Sequence, residues 1–354
     1  MKLCLERLCI SESSDILHKK EIRWEEIRLS PLCKGDMLIL LIIVGVILLV
    51  IMFVISLNWT FYNVIFYPSR YHIWSPKYEH KTLMLESNIS AWHFSSFADK
   101  PTVLFCHGNA GNISHRQYII DLCQRHKLNL LLFDYQGFGR SSGHSTPESI
   151  CQDGLIAYDY LQEYVKNKKE KDIYVWGESL GGAVATYIAS NRPCSALILM
   201  CTFASLGDIP GYTGTNWIYQ FLSIYMNLMG SNLKTKGRIS TVECPIVILH
   251  SKDDEIIPFE NSLELYKNVS HTCKLFIEIR GGHTTPKITP EQLEKLFKFC
   301  SMPCCGCVPI DDILDYIEEM QKKDALHQKI PDNSITHHGK IQCVKDNKGC
   351  RSKI

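Results

Sequence analysis

The sequence predicts an α/β domain, with a mostly parallel central sheet covered by helices on both faces, preceded by one membrane-spanning helix. Three observations carry that expectation. From residue 102 onward, short apolar runs of strand length alternate with helical segments, the pattern of a doubly wound sheet. Met37 to Leu57 carries no charged residue and, at about 1.5 Å per residue, is long enough to cross a hydrocarbon core of about 30 Å. Val175-Trp176-Gly177-Glu178-Ser179-Leu180-Gly181-Gly182 passes from an apolar strand through Gly-x-Ser-x-Gly into a helix of small residues.

With 354 residues the chain has room for one large α/β domain with extensions, or for two small domains. A net charge of +1 gives no whole-chain attraction for nucleic acid, so no such partner is expected. The 16 cysteines do not form a small disulfide framework, and the count alone does not settle the redox compartment. Cys106, Cys123, Cys201 and Cys244 lie in or beside apolar runs, where a free thiol behaves as a small hydrophobe.

In chain order, residues 1–36 form a polar tail of mixed charge with an amphipathic stretch from Ile16 to Leu29. Residues 37–57 are the transmembrane helix. A core helix rarely stays apolar all round for this length, and a cleaved signal peptide is shorter and starts earlier. Trp59, Tyr62 and Tyr67 suit the membrane interface. Lys19, Lys20, Arg23, Arg28 and Lys34 precede the span, whereas Arg70 and Lys77 follow it. The positive-inside rule then leaves the N-terminus cytosolic and the large C-terminal part luminal or extracellular. Glycosylation sequons at Asn58, Asn88, Asn112 and Asn268 fit that side, although a glycan on Asn112 would obstruct the loop discussed below.

Residues 58–300 are expected to be the α/β domain. His80–Leu85 and Ile89–Phe94 alternate as an antiparallel hairpin. Thr102–Cys106 reads as a buried strand, Ser114–Arg125 as a helix, Leu128–Tyr135 as a strand and Pro147–Asn167 as a helix. The strand Asp172–Trp176 leads to the helix Leu180–Ser190, followed by strands Ser195–Cys201, Pro245–His250 and Lys274–Ile279 and the helix Glu291–Cys300. The alternation breaks after Thr202, where about 204–243 carries Trp217, Tyr219, Phe221, Leu222, Tyr225, Met226, Leu228 and Met229. An insertion at a strand's C-terminal end suits a lid over a ligand site. Residues 301–354 are a cysteine-containing tail with an amphipathic helix from Asp311 to Lys323. The spacing of Cys300, Cys304, Cys305 and Cys307 matches no two-pair zinc pattern, so an acylated or structural tail is expected there.

A serine hydroxyl is a poor nucleophile unless it is exposed, paired with a base and faced by donors for the developing oxyanion. A sharp strand-to-helix turn would expose Ser179. Downstream, Arg280-Gly281-Gly282-His283 follows the last strand on a flexible turn and offers His283 as the base. Asp253-Asp254-Glu255 follows the strand ending at His250 and offers the carboxylate, with the choice among the three open. Upstream, His107-Gly108-Asn109-Ala110-Gly111-Asn112 follows the strand ending at Cys106. The N–H groups of Asn109 and Leu180 would meet at one oxyanion, with His107 bracing the loop. Asp134 to Ser141 is a Gly-rich turn lacking the lysine of a phosphate-binding loop.

Together these motifs resemble the serine α/β hydrolases, most of all a group of their membrane-anchored members, from about residue 57 to 300. The resemblance implies Ser179 as nucleophile, His283 as base, Asn109 and Leu180 as oxyanion donors, and Asp254 as the acid, because the family's acid stands four residues after the strand-end histidine. It also implies a single-span protein with its hydrolase outside the cytosol, and chemistry that needs neither metal nor organic cofactor. The expected activity is cleavage of a carboxylic ester or thioester through an acyl-enzyme, on a lipid or acylated-protein substrate. A peptidase or acyltransferase on the same fold, or a non-catalytic anchored binding module, are the alternatives, and the oligomeric state is left open.

Overall fold

The computed structural model describes residues 31–166, 172–209, 217–229, 233–301, 342–346 and 349–353. The stretches Ile16–Leu29 and Asp311–Lys323, and Cys304, Cys305 and Cys307, lie outside the described residues.

Helix α1 spans Pro31–Ile65, longer at both ends than its apolar stretch. Within it Met37–Ser56 has a mean hydropathy of 3.7 and no buried residues. This one N-terminal apolar helix is long enough to anchor the protein to a membrane. The chain to Trp59 is one compact unit and the chain from Thr60 is a second.

In the second unit the strands are β1 (Tyr67–Pro68), β2 (Lys81–Leu85), β3 (Ile89–Phe94), β4 (Thr102–Cys106), β5 (Ala110–Gly111), β6 (Asn129–Phe133), β7 (Ile173–Glu178), β8 (Ala196–Met200), β9 (Ile246–Ser251) and β10 (Lys274–Ile279). Among the described residues the helices of eight or more residues are α2 (Gln117–Arg125), α3 (Pro147–Lys166), α4 (Leu180–Asn191), α5 (Trp217–Met229), α6 (Glu260–Asn268) and α7 (Pro290–Cys300). Eight strands make one sheet in the order β10-β9-β8-β7-β4-β6-β3-β2. The six from β10 to β6 run parallel, and β3 and β2 are antiparallel additions at one edge.

Successive side chains of a strand point to opposite faces, and the apolar runs fill both. Leu104, Leu131, Val175, Leu197 and Ile248 pack with α3 and α4 on one face. Val103, Phe105, Leu130, Trp176, Ile198 and Val247 pack with α2 and α7 on the other. Burial on both faces is why these strands read as unbroken apolar runs. The α3 helix buries Ile150, Gly154, Ala157, Tyr158, Leu161 and Val165 at helical spacing. Thr289 and Gln292 close a capping box at the start of α7, ahead of Pro290 at its first turn.

Several elements differ from expectation. The helix read from Ser114 begins only at Gln117, because Ile113–His115 is a separate 3₁₀ turn capped by Asn112. The α6 helix was not anticipated. In the interval expected as a lid, Ala204, Leu206, Leu233, Ile239 and Val242 are buried, so its ends belong to the core. Tyr225 and Met226 of α5 pack against that core, while Ile224 and Leu228 are exposed. In the tail, β11 (Gln342–Asp346) and β12 (Gly349–Lys353) pair antiparallel; short strands this polar leave little pattern to read. Asn112 is fully buried, and its Nδ2 donates to the Ser69 and Tyr71 carbonyls at 2.9 and 2.8 Å, so it is not a glycan acceptor in the folded protein.

Candidate active site

The sheet brings the candidate residues to one edge. The chain builds β4 and β6, then returns to the other side of β4 to lay down β7, so the strand order reverses between β4 and β7. The carboxyl ends of parallel strands beside such a reversal leave a crevice for ligand. Ser179 follows β7, the loop 107–112 follows β4, Asp254 follows β9 and His283 follows β10.

Ser179 sits at φ 53°, ψ −119°, a conformation that costs a non-glycine residue energy and that the surroundings must enforce. Its N–H donates to the Met200 carbonyl at 2.9 Å, and its own carbonyl accepts from Thr202 Oγ1 at 2.7 Å and Gly182 N–H at 2.9 Å. The flanking glycines answer to close approach. A Cβ on Gly181 would lie 1.9 Å from the Cys106 carbonyl oxygen, and one on Gly177 would lie 2.3 Å from the Gly181 carbonyl oxygen. Helix α4 can therefore start hard against β4 only without side chains at these positions.

His283 Nε2 lies 2.9 Å from Ser179 Oγ, and its Nδ1 lies 2.8 Å from Asp254 Oδ2. The other carboxylate oxygen of Asp254 accepts the N–H groups of Ile256 and Ile257 at 2.9 and 2.8 Å. Burial of Asp254 favours its neutral form, but hydrogen bonds from His250, His283 and Ile257 outweigh burial and hold the carboxyl well below the usual carboxylate range. A charged Asp254 keeps the proton of neutral His283 on Nδ1 and leaves the Nε2 lone pair facing the serine hydroxyl.

The three consecutive acids point in different directions. Asp254 faces the imidazole. Asp253 instead accepts the Gly281 N–H at 3.2 Å, and Glu255 accepts the backbone N–H of His283 at 3.0 Å. All three fix the His283 turn, and one of them touches its ring.

Sequence reasoning missed the support behind Asp254. His250 Nε2 lies 2.9 Å from the Ile257 carbonyl and 3.3 Å from Asp254 Oδ2, while its Nδ1 meets Ser262 Oγ. Ligand atoms of Cys201, His250 and Asp254 fall within 4.8 Å of one another. The group does not fit a metal: both imidazole nitrogens are already hydrogen-bonded, and burial pushes the Cys201 thiol up to about 12.

On the other side of Ser179, the loop 107–112 is held carbonyl by carbonyl. Tyr135 OH donates to the His107 carbonyl at 2.9 Å, His107 Nδ1 to the Gly108 carbonyl at 2.7 Å, and Ser69 N–H to the Gly111 carbonyl at 3.0 Å. Burial, reinforced by the nearby Arg116 charge, lowers the His107 pKa to about 3, so the ring is neutral. Strand β5 of this loop pairs with β1. The Asn109 side chain donates to the Ile65 carbonyl at 2.6 Å and accepts the Tyr67 N–H at 3.3 Å. Among the described residues neither the Asn109 nor the Leu180 N–H has a hydrogen-bond partner, so both remain available to a ligand oxygen.

A family model for the alpha/beta hydrolase fold matches residues 101–217. The alpha/beta hydrolase domain-containing protein WAV2 of Arabidopsis thaliana is 31% identical over 208 residues, which covers 55% of this chain and 67% of that protein. Lysophosphatidylserine lipase ABHD12 of Danio rerio is 27% identical over 190 residues, 49% of each chain. The chain thus spans about half the length of that relative. Among solved structures, an esterase of Pyrococcus furiosus superposes with a TM-score of 0.54 at 22% identity, covering 66% of this chain and 96% of that one. That last likeness is one of fold.

Proposed function

Because this chain belongs to the alpha/beta-hydrolase family, we propose that it is a membrane-anchored serine hydrolase that cleaves a carboxylic ester or thioester through an acyl-enzyme. The observation that carries the reading is the unbroken hydrogen-bonded line from Ser179 Oγ through the His283 ring to Asp254. In the first step Ser179 Oγ attacks the acyl carbonyl while His283 Nε2 takes its proton. Asp254 orients the ring and stabilises the imidazolium. The N–H groups of Asn109 and Leu180 hold the oxyanion. His283 then returns the proton to the leaving group, and water attacks the acyl-enzyme by the same route.

A lipid or acylated-protein substrate follows from two supports, the apolar N-terminal helix and the lipases among the relatives. We infer from the motifs of residues 107–112, 134–141, 177–182, 253–258 and 281–283 a resemblance to alpha/beta hydrolase domain-containing protein 13 and its membrane-anchored relatives. Within residues 204–243, helix α5 between the core-bound ends is assigned as the lid over the acyl chain, and the catalytic part as luminal or extracellular.

A fluorophosphonate probe applied to membranes containing the full chain tests the assignment. Wild type should label and Ser179→Ala should not, with turnover of an acyl-ester panel falling up to about 10⁶-fold. An unlabelled wild type, or labelling that survives Ser179→Ala, would sink it. A preference for acetyl over long acyl chains would remove the lipid substrate while leaving the hydrolase.

A further inference from the structure

One side chain beside the site breaks a local rule. Arg116 occupies the position before the first residue of α2 and makes no capping hydrogen bond there. Helix starts favour Ser, Thr, Asp or Asn, and a cation faces the positive end of the helix dipole. The reason for an arginine lies on the inner side. Its side chain is only 13% exposed, and its guanidinium reaches three groups of the candidate site. Nη2 donates to the Gly108 carbonyl at 3.2 Å and to the Ala110 carbonyl at 2.6 Å. Nε lies 3.6 Å from Oε2 of Glu178, the residue that precedes Ser179. Among the described residues, neither Nε nor Oε2 has a hydrogen bond.

On the hydrolase reading above, we propose that Arg116 is a positioning residue that aims the Asn109 N–H at the oxyanion and ties that loop to the nucleophile's turn. The carbonyl of Gly108 and the N–H of Asn109 belong to one planar trans peptide and point in opposite directions. Whatever grips the carbonyl therefore sets the direction of the donor. Two groups grip it, His107 Nδ1 at 2.7 Å and Arg116 Nη2 at 3.2 Å. The peptide stands beside the reacting serine, since a Cβ built on Gly108 would be 3.5 Å from Ser179 Cβ and 3.6 Å from Glu178 Oε2. One nitrogen of the rigid guanidinium, Nη2, holds both carbonyls while Nε faces the carboxylate. A lysine, with one nitrogen, reaches fewer of the three. The guanidinium also places a positive charge behind a site where negative charge develops.

The test uses the full chain, with hydrolysis of p-nitrophenyl butyrate and inhibition by an alkylboronic acid, which forms a tetrahedral anion on a serine oxygen. Arg116→Gln should lower kcat about 10²-fold, on the scale of a misaimed oxyanion donor, with KM held within about twofold. The boronate inhibition constant should rise in step with the fall in kcat, and Arg116→Lys should recover part of both. A kcat within about twofold of wild type overturns the proposal. So does a loss that tracks the thermal midpoint while boronate affinity stays unchanged, because that is the mark of a structural role. Should Arg116→Gln fail to fold, Glu178→Gln, which removes one anchor of the guanidinium, should show a smaller fall with the same split. Wild-type kinetics in that variant overturn the proposal. An inactive wild type brings down the hydrolase reading and this assignment together; an active wild type with an unaffected Arg116→Gln brings down this assignment alone.

Discussion

Asp254 and His107 both do their work through a hydrogen bond to a neighbour, and substitution exposes each differently. In Asp254→Asn, the side-chain oxygen would keep the Ile256 and Ile257 N–H groups, and the new amide would face His283 Nδ1 as a donor. The imidazole proton would move to Nε2, leaving no lone pair for the serine. The expected fall in kcat is about 10³–10⁴-fold, read from ester hydrolysis across pH 6–9; a fall under tenfold would mean that another carboxylate serves. For His107 the readout is stability. The folded protein keeps the ring neutral down to about pH 3, whereas an unfolded histidine takes a proton near 6.5. Between those values the unfolded chain binds more protons, so stability is full above about 6.5 and falls as pH drops toward 3. Asp254, with its depressed pKa, loses stability in the same direction at the acid end. Burial raises Asp153 to about 6 and also raises Asp134, whose Oδ1 lies 3.7 Å from His107 Nε2, and both oppose that loss. From pH 7 to 4 the urea midpoint should therefore lose more, or gain less, in wild type than in His107→Asn, which keeps an N–H donor without titrating. Equal slopes would remove His107 as the cause.

Among elements, the start of α4 against β4 is the closest approach, and Gly181 permits it. Gly181→Ala forces a methyl to within 1.9 Å of a backbone oxygen that cannot rotate away. It should cost about 3 kcal/mol or more, while Gly237→Ala, where nothing lies within 4 Å, should leave the urea midpoint unchanged or slightly raised. Equal effects at the two sites would show that the contact is relieved elsewhere. This packing also explains what the sequence could and could not say. Strand β4 was legible to the residue because a strand inside the sheet is an apolar run with sharp ends; β10, at the sheet's edge, was legible from its alternation instead. The α6 helix was not, because two of its three buried residues are polar: Asn261 accepts the Ala204 N–H and Ser262 meets His250, leaving Leu265 as the buried apolar one. A helix that buries an amide and a hydroxyl in place of apolar side chains gives little apolar period to detect. Ser179 and His283 were legible because short glycine turns frame them. Choosing Asp254 over its two acidic neighbours needed the family resemblance, since only the turn of the backbone decides which carboxylate meets the ring. Arg116 gave no signal at all, because its partners are carbonyls that every residue possesses.

For the whole molecule, the structure turns the sequons into a graded test of the side of the membrane. Asn112 is buried and engaged, so it should carry no glycan on either side. Asn88 is exposed on the tight turn between β2 and β3, and Asn268 is exposed at the end of α6, where its amide donates to the Glu264 carbonyl. If the basic residues before the span hold the N-terminus in the cytosol, the catalytic part meets the glycosylation machinery. The full chain made in mammalian cells should then shift in mobility on treatment with an endoglycosidase. Asn88→Gln and Asn268→Gln should each remove part of that shift, and Asn112→Gln none of it. In sealed microsomes the catalytic part should resist added protease until detergent is present. No endoglycosidase shift, with cleavage in intact microsomes, would place the catalytic part in the cytosol. That outcome would leave the alignment of Ser179, His283 and Asp254 untouched, because it depends on the strands of the sheet and the loops that follow them, but it would change which substrates the proposed hydrolase can meet.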